Sequence, residues 1–249
     1  MITSVKNESI KAIKALLSRK GRKETGLHLI EGERLVFDAL ASGLRTGSVF
    51  VSGGRTDLMA RLEGAGIPFE TVSESVMASV SDTDSPQGII ASAVTPDMTP
   101  PESFPSGLIV ALDRVQDPGN LGTILRTADA FGAKGLLLSE GCVDPWSPKA
   151  VRAAMGSTYH IPVWQGDLPN ALKNLGGQGF FAVCGHLKGK EALPELPEKR
   201  VLIIGNEANG ASDEVSELAY LYRLPMKGRA ESLNAAAAAA ILIYKLSEK

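Results

Sequence analysis

Three stretches of the 249-residue chain gather glycine, amide and charged side chains at spacings that packing alone does not demand. In Asp117-Pro118-Gly119-Asn120-Leu121-Gly122-Thr123-Ile124-Leu125-Arg126, two glycines allow close backbone approach, and Asn120 is placed to cap a helix whose first turns carry Arg126. A guanidinium on such a rigid element is a planar fork suited to phosphate, although an ordinary strand-to-helix turn with a surface arginine reads the same way. In Gly205-Asn206-Glu207-Ala208-Asn209-Gly210-Ala211-Ser212, glycines at both ends make a loop able to wrap a flat ligand, with Glu207 as its carboxylate and Ser212 capping the next helix. In Leu224-Pro225-Met226-Lys227-Gly228-Arg229-Ala230-Glu231-Ser232-Leu233-Asn234, polar Ser232 and Asn234 precede six alanines, Ala235 to Ala240. Either polar residue suits a helix cap. The alanines make a helix without bulk, against which other backbone can lie closely.

The elements that must position these residues follow from hydropathy. Leu108 to Leu112 leads into the first stretch and Val201 to Ile204 into the second, and Gly135 to Leu138 and Phe180 to Val183 repeat the continuous apolar run. Such strands, alternating with helices like Leu121 to Phe131, predict an α/β domain with a parallel sheet covered on both faces. Ligands then sit at the carboxyl ends of the strands, which directs attention to the loops after Leu112, Leu138, Ile204 and Leu224. Upstream, Thr95 to Gly107 with Pro96, Pro100, Pro101 and Pro105 reads as an extended linker. Residues 1–94 read as a smaller α/β domain. It opens on an amphipathic helix capped by Asn7, with Ile10, Ile13, Leu16 and Leu17 inward and lysines outward. The predicted organisation is thus residues 1–94, a linker at 95–107, and a second domain at 108–249.

Charge is uneven along the chain. Residues 1–23 hold Lys6, Lys11, Lys14, Arg19, Lys20, Arg22 and Lys23 against Glu8 alone, an excess of six, whereas the whole chain carries −2, which leaves the remainder at −8. That asymmetry fits a basic face that meets nucleic-acid phosphate, or equally a solvated helix face. Lys134, Lys149 and Arg152 are the next cations to consider. With 44% apolar and 22% charged residues the chain is expected to fold rather than remain disordered. Its longest apolar run, Ala235 to Tyr244, is ten residues, short of the roughly 18 that span a bilayer, so no membrane partner is expected. Two cysteines, three histidines and no apolar leader predict neither a metal site nor secretion, and a reducing cytoplasm is the expected location. No G-x-G-x-x-G occurs, which argues against a nicotinamide enzyme.

Taken together, Asn120-x-Gly122-x-x-x-Arg126, Gly205-x-Glu207-x-x-Gly210, and Leu224-Pro225-Met226 with Gly228 and Ser232-Leu233-Asn234 resemble, in order, the three motifs of the SpoU/TrmH family. Those enzymes are S-adenosyl-L-methionine-dependent RNA ribose 2'-O-methyltransferases. Residues 1–94, with Leu29-Ile30-Glu31-Gly32 and Ser85-Pro86-Gln87-Gly88, are similar to the small ribosomal-protein-like RNA-binding domain that many members carry. The resemblance implies a trefoil knot through which the last helix threads, and a homodimer that completes the pocket. The run Ala235 to Ala240 agrees with such threading. Ala154, where relatives often have serine, departs from the pattern.

The resemblance also implies roles. Arg126 would act on the ribose hydroxyl, Asn120 would hold Arg126 and the ribose, and Glu207 would orient the arginine or a neighbouring strand end. Ser232 and Asn234 would hold substrate or the catalytic loop. The cofactor would lie against Gly205, Leu224, Met226 and Leu233, and no metal is required. Since arginine keeps its proton in proteins, two accounts stay open: an RNA phosphate takes a proton from Arg126, or Arg126 stays cationic and stabilises the forming alkoxide, which is energetically preferable. Ribosomal RNA is the expected substrate, 23S in particular. Transfer RNA, and a non-catalytic RNA-binding assembly factor on the same fold, are the alternatives.

Overall fold

The computed structural model describes residues 1–248. By its internal contacts the chain divides into two units: Met1–Pro96 with Asp144–Tyr159, and Asp97–Val143 with His160–Lys249.

The first unit begins with α1 (Glu8–Ala15), whose N-terminal amides are capped by the Asn7 side chain, and α2 (Arg19–Thr25), capped by Ser18. The expected single amphipathic helix is therefore two. The turn at Leu16–Ser18 takes Leu17 out of the helix, and Gly21 lets α2 pack tightly on α1, since a Cβ there would lie 2.1 Å from the Ala15 carbonyl oxygen. Next come β1 (Leu27–Glu31), α3 (Glu33–Ala41), β2 (Thr46–Ser52), α4 (Thr56–Gly64), β3 (Glu70–Val72), α5 (Glu74–Val80) and β4 (Ile89–Val94). The sheet order is β1-β4-β2-β3, antiparallel except for the β2–β3 pair. Ile10, Ile13, Leu16, Leu29, Phe50 and Ile90 fill its core.

The second unit holds β5 (Leu108–Asp113), α6 (Pro118–Ala130) and β6 (Gly135–Ser139). The chain then supplies α7 (Pro148–Ala154), which belongs to the first unit and buries Ala154. Back in the second unit follow β7 (Val163–Gly166), α8 (Leu168–Gly177), β8 (Phe181–Lys190), β9 (Arg200–Gly205), α9 (Asp213–Ser216), β10 (Tyr220–Tyr222) and α10 (Ala235–Ser247). All six strands are parallel, in the order β10-β8-β9-β5-β6-β7. Every residue of β5 and β6 is buried, as a sheet covered on both faces requires. The expected α/β class and parallel sheet are thus observed. The last strand stops at Tyr222, two residues before Leu224, because Pro225 cannot extend the ladder. Helix α10 packs along α6 and over β9, burying Ala236, Ala239, Leu242 and Ile243. Phe104 is buried edge-on against Trp164 in the core of this unit. Among the described residues no helix is long and apolar enough to cross a membrane.

Candidate active site

At the carboxyl edge of the parallel sheet β5 ends at Asp113 and β9 at Gly205, residues that are partners in register. The loop leaving β5 turns into α6 under the control of Asp117, whose side chain accepts the Asn120 N–H at 2.7 Å, with Pro118 at the first helical position. Asp117 and not Asn120 is therefore the cap. Proline needs no amide partner at that position and carries the required φ, so Asp-Pro outranks the later asparagine as a helix start. Relieved of capping, the Asn120 side chain is available for other bonds.

Those bonds join all three motif stretches. Asn120 Nδ2 donates to Glu207 Oε1 at 3.0 Å, and Asn120 Oδ1 accepts from Asn234 Nδ2 at 3.0 Å. The direction of the chain is forced from both ends. Asn234 Oδ1 caps α10 by accepting the amides of Ala236 and Ala237, so only its Nδ2 can face Asn120. An ionised Glu207 can only accept, so Asn120 must turn its NH₂ that way. Burial alone would raise the Glu207 carboxyl, but the Asn120 bond and backbone amides, including those of Gln116 and Asp117 at 3.2 Å each, outweigh it and hold the pKa below the ordinary value. All three network residues keep solvent contact, Glu207 and Asn234 being exposed and Asn120 half-buried.

A second layer fixes the loops. Buried Asp113 accepts both the amide and the hydroxyl of Ser212, at 2.7 and 2.8 Å, through Oδ2. Ser212 thus stands at the N-cap of α9 without making the expected cap bond; its hydroxyl ties the loop to the sheet instead. Arg114 has φ of 58°, unusual for a side chain with a Cβ. It is held there by its amide to Ser139 Oγ (2.9 Å), by its carbonyl to Asn206 Nδ2 (2.8 Å) and by Asp113. A Cβ on Gly205 would lie 2.0 Å from the Ala211 nitrogen, so this glycine is required by the loop's own closure.

Arg126 lies exposed on α6, and among the described residues its guanidinium makes no hydrogen bond or ion pair. Ser232 is likewise exposed and outside the network. Leu224 and Met226 are half-buried and Leu233 is 39% exposed, all in the segment from the end of β10 to Asn234. Since β10 ends at the carboxyl edge and Asn234 bonds Asn120 there, this segment starts and finishes beside the same edge. It carries the apolar side chains of Leu224, Met226 and Leu233. Lys134 directly precedes β6, at the opposite, amino edge, and so is not a site residue. Arg152 is engaged by Asp82 at 2.6 Å and Glu31 at 3.7 Å. Asp113, Arg114, Gln116 and Asn206 were not singled out from the sequence. Asp117-Pro118 was a legible cap signal, but nothing local marks Asp113 as an anchor for a residue 99 positions later.

Comparison with known proteins bears on this geometry. Residues 107–244 match the model of the SpoU rRNA Methylase family, and residues 7–91 that of the MRM3-like substrate binding domain. The chain is 38% identical over 248 residues, 98% of each protein, to the 23S rRNA (guanosine(2553)-2'-O)-methyltransferase RlmP of Bacillus subtilis. Among solved structures it is similar to an AdoMet-bound rRNA methyltransferase from Sinorhizobium meliloti, with TM-score 0.88 and 35% identity, covering 98% of this chain and 96% of that one. It is also similar to the SpoU methyltransferase AviRb of Streptomyces viridochromogenes in complex with AdoMet, with TM-score 0.86 and 27% identity over 97% of both chains.

Proposed function

The chain belongs to the SpoU rRNA Methylase family, and from that premise we propose that it transfers a methyl group from S-adenosyl-L-methionine to a ribose 2'-hydroxyl of 23S ribosomal RNA. The observation that carries this reading is the Glu207–Asn120–Asn234 network, which locks three loops together at one sheet edge and leaves Arg126 uncommitted on the helix whose first turn holds Asn120.

The bound cofactor supplies an electrophilic methyl on a sulfonium. Gly205, Leu224, Met226 and Leu233 would hold it, the glycine through backbone and the others as apolar walls. A neutral hydroxyl is a poor nucleophile, so the protein must favour its alkoxide. Arg126 stays cationic and faces the forming oxyanion, while Asn120 places the ribose and Ser232 steadies the substrate. Glu207 orients Asn120, and its depressed pKa keeps it an acceptor at neutral pH. Methyl transfer needs orientation above all, which the crossed amide network provides in advance.

Residues 1–94 capture RNA and the chemistry belongs to the second unit within residues 108–249; the expected linker at 95–107 is largely part of that unit, with Phe104 in its core, and the segment Asp144–Tyr159 belongs to the first. Exposed Ile241, Tyr244 and Phe131, the last two in edge contact at 5.4 Å, leave an uncovered apolar face on α10 and α6 that supports a homodimer. Six alanines heading α10 support the trefoil knot, since a chain end drawn past other backbone has room only for small side chains. Two buried free thiols, Cys142 and Cys184, agree with a reducing cytoplasm.

The test is methyl transfer from labelled S-adenosyl-L-methionine to ribosomal RNA of a strain lacking the gene, with the modified ribose mapped. A guanosine of 23S RNA is the first position to examine. Label entering only transfer RNA would move the substrate, and cofactor-independent RNA binding without transfer would make the protein an assembly factor. Sedimentation of wild type against Ile241→Glu tests the dimer.

A further inference from the structure

In the first unit an open hollow of about 380 Å³ is lined by Glu33, Arg34, Phe37, Asp38, Arg61 and Gln87. The guanidinium carbon of Arg61, on α4, lies 3.5 Å from the centroid of the Phe37 ring on α3. At that distance the planar group can only lie flat on the ring. Arg61 Nη1 is also 3.1 Å from Glu33 Oε1. Glu33 is itself fixed, its other carboxylate oxygen bonded by Arg55 at 3.1 Å and its amide donating to Gln87 Oε1 at 2.9 Å. Gln87 belongs to Ser85-Pro86-Gln87-Gly88, a motif for which the methyl-transfer site has no use.

The result is a guanidinium backed by an aromatic ring, pinned at its edge, and 54% exposed, so its outer face is open. Arg34 and Arg61 are balanced by Glu33 and Asp38, which leaves no net charge to draw in a phosphate. What such a surface favours is a flat π-system. Unpaired RNA bases stack on arginine planes and aromatic rings in this manner. We propose that this hollow receives an unpaired base of the RNA substrate, stacked on the outer face of Arg61 with Phe37 behind it. The proposal rests on the reading of the chain as an RNA methyltransferase and adds to it a contact that reads single-stranded RNA.

The test uses the full-length chain and a short single-stranded oligoribonucleotide carrying one 2-aminopurine, titrated at two salt concentrations. Stacking quenches the fluorescence. Wild type should quench, and Arg61→Ala should abolish quenching and weaken binding about tenfold or more. Arg61→Lys keeps the charge and hence the salt dependence, yet lacks the plane and should not restore quenching. Equal quenching and affinity in wild type and Arg61→Ala, or no quenching in wild type, would overturn the proposal. Methyl transfer to ribosomal RNA is measured in parallel. Transfer by wild type with an indifferent Arg61→Ala sinks the stacking site alone, whereas failed transfer sinks the methyltransferase reading while the quenching still decides the hollow. Arg61 is exposed and outside the core, so both variants should unfold cooperatively, with no more than the small loss expected for one exposed ring contact and ion pair.

Discussion

Two polar networks, one in each unit, are used in opposite ways. In the first, inward-facing charges hold backbone. Arg22 is 7% exposed, pairs with Asp144 at 2.7 Å and donates to the carbonyls of Leu16 and Leu17. Glu31, also buried, accepts from the Asp82 amide at 2.9 Å and from the hydroxyls of Ser81 and Thr83. In the second, the amides and carboxylate at the sheet edge bond one another within reach of solvent, and Arg126 bonds no protein group among the described residues. The difference teaches where to seek chemistry. A buried charge without full partners costs several kcal/mol, so such groups are committed to structure; an exposed, pre-oriented network becomes strong only when a substrate covers it.

Arg126 provides the sharpest break. Arg126→Ala should lower methyl transfer by about 10²–10³-fold, as loss of one oxyanion-stabilising group does, with cofactor affinity unchanged by calorimetry. Arg126→Lys should not restore it. Near-normal turnover in Arg126→Ala would erase the contrast between the two arginines. Conversely, Arg22→Ala should cost about 3 kcal/mol or more in urea unfolding of the first unit, since it strands Asp144 and two carbonyls. A change within experimental error would mean that burial there is not matched by energetic commitment.

A further contrast is in pH. Burial, opposed by the charge of Asp144, pushes the His28 imidazole down from 6.5 to about 4, so the folded chain keeps it neutral between Trp146 and Tyr159. Between those values the unfolded state binds a proton that the folded state refuses. Stability therefore falls as pH drops from 6.5 towards 4, by about 2–3 kcal/mol, and levels off below. His28→Asn should flatten that interval in denaturant titrations at stepped pH. The smallest effect concerns the basic segment. Deleting it would remove Ile10, Ile13 and Leu16 from the core, so substitution is the proper probe. Replacing exposed Lys14 and Lys23 by Gln should reduce the slope of log affinity for RNA against log salt by about one to two, leaving unfolding unchanged. An unchanged slope would assign those lysines to a solvated face with no part in RNA binding.

Much of the fold was legible in local pattern. Continuous apolar runs marked β5, β6 and β9, because a strand buried on both faces has no polar alternation to hide, whereas for β8 the run Phe180 to Val183 marked only the start of a strand that continues to Lys190 with exposed residues at its end. Short β3, β7 and β10 carry weaker signals, of three or four residues: nothing in the pattern marks β7, and β10 is marked only by its end, placed at Leu224 rather than Tyr222. The N-terminal lysine-rich stretch was misread as one helix because Leu17 continues the apolar spacing, whereas Ser18 starts a new helix by capping Gly21. At the site, residue types sufficed to bring out Asn120, Glu207 and Asn234. Assigning Asn120 to a cap was wrong, because the stronger start three residues earlier had already satisfied its amide.

Sequence by itself determined the longer strands and helices, the α/β class and the three motif stretches, since these rest on hydropathy period, capping and turn chemistry between near neighbours. The tertiary structure alone decided which polar groups are committed and which are free. Arg22 meets Asp144 across 122 residues, Asn120 meets Glu207 across 87 and Asn234 across 114. Hydrogen bonds act over about 3 Å, and whether groups so distant along the chain come that close depends on strand order and register. Placing β9 beside β5, and the start of α10 beside α6, joined three separate loops into one site. No local pattern encodes that adjacency.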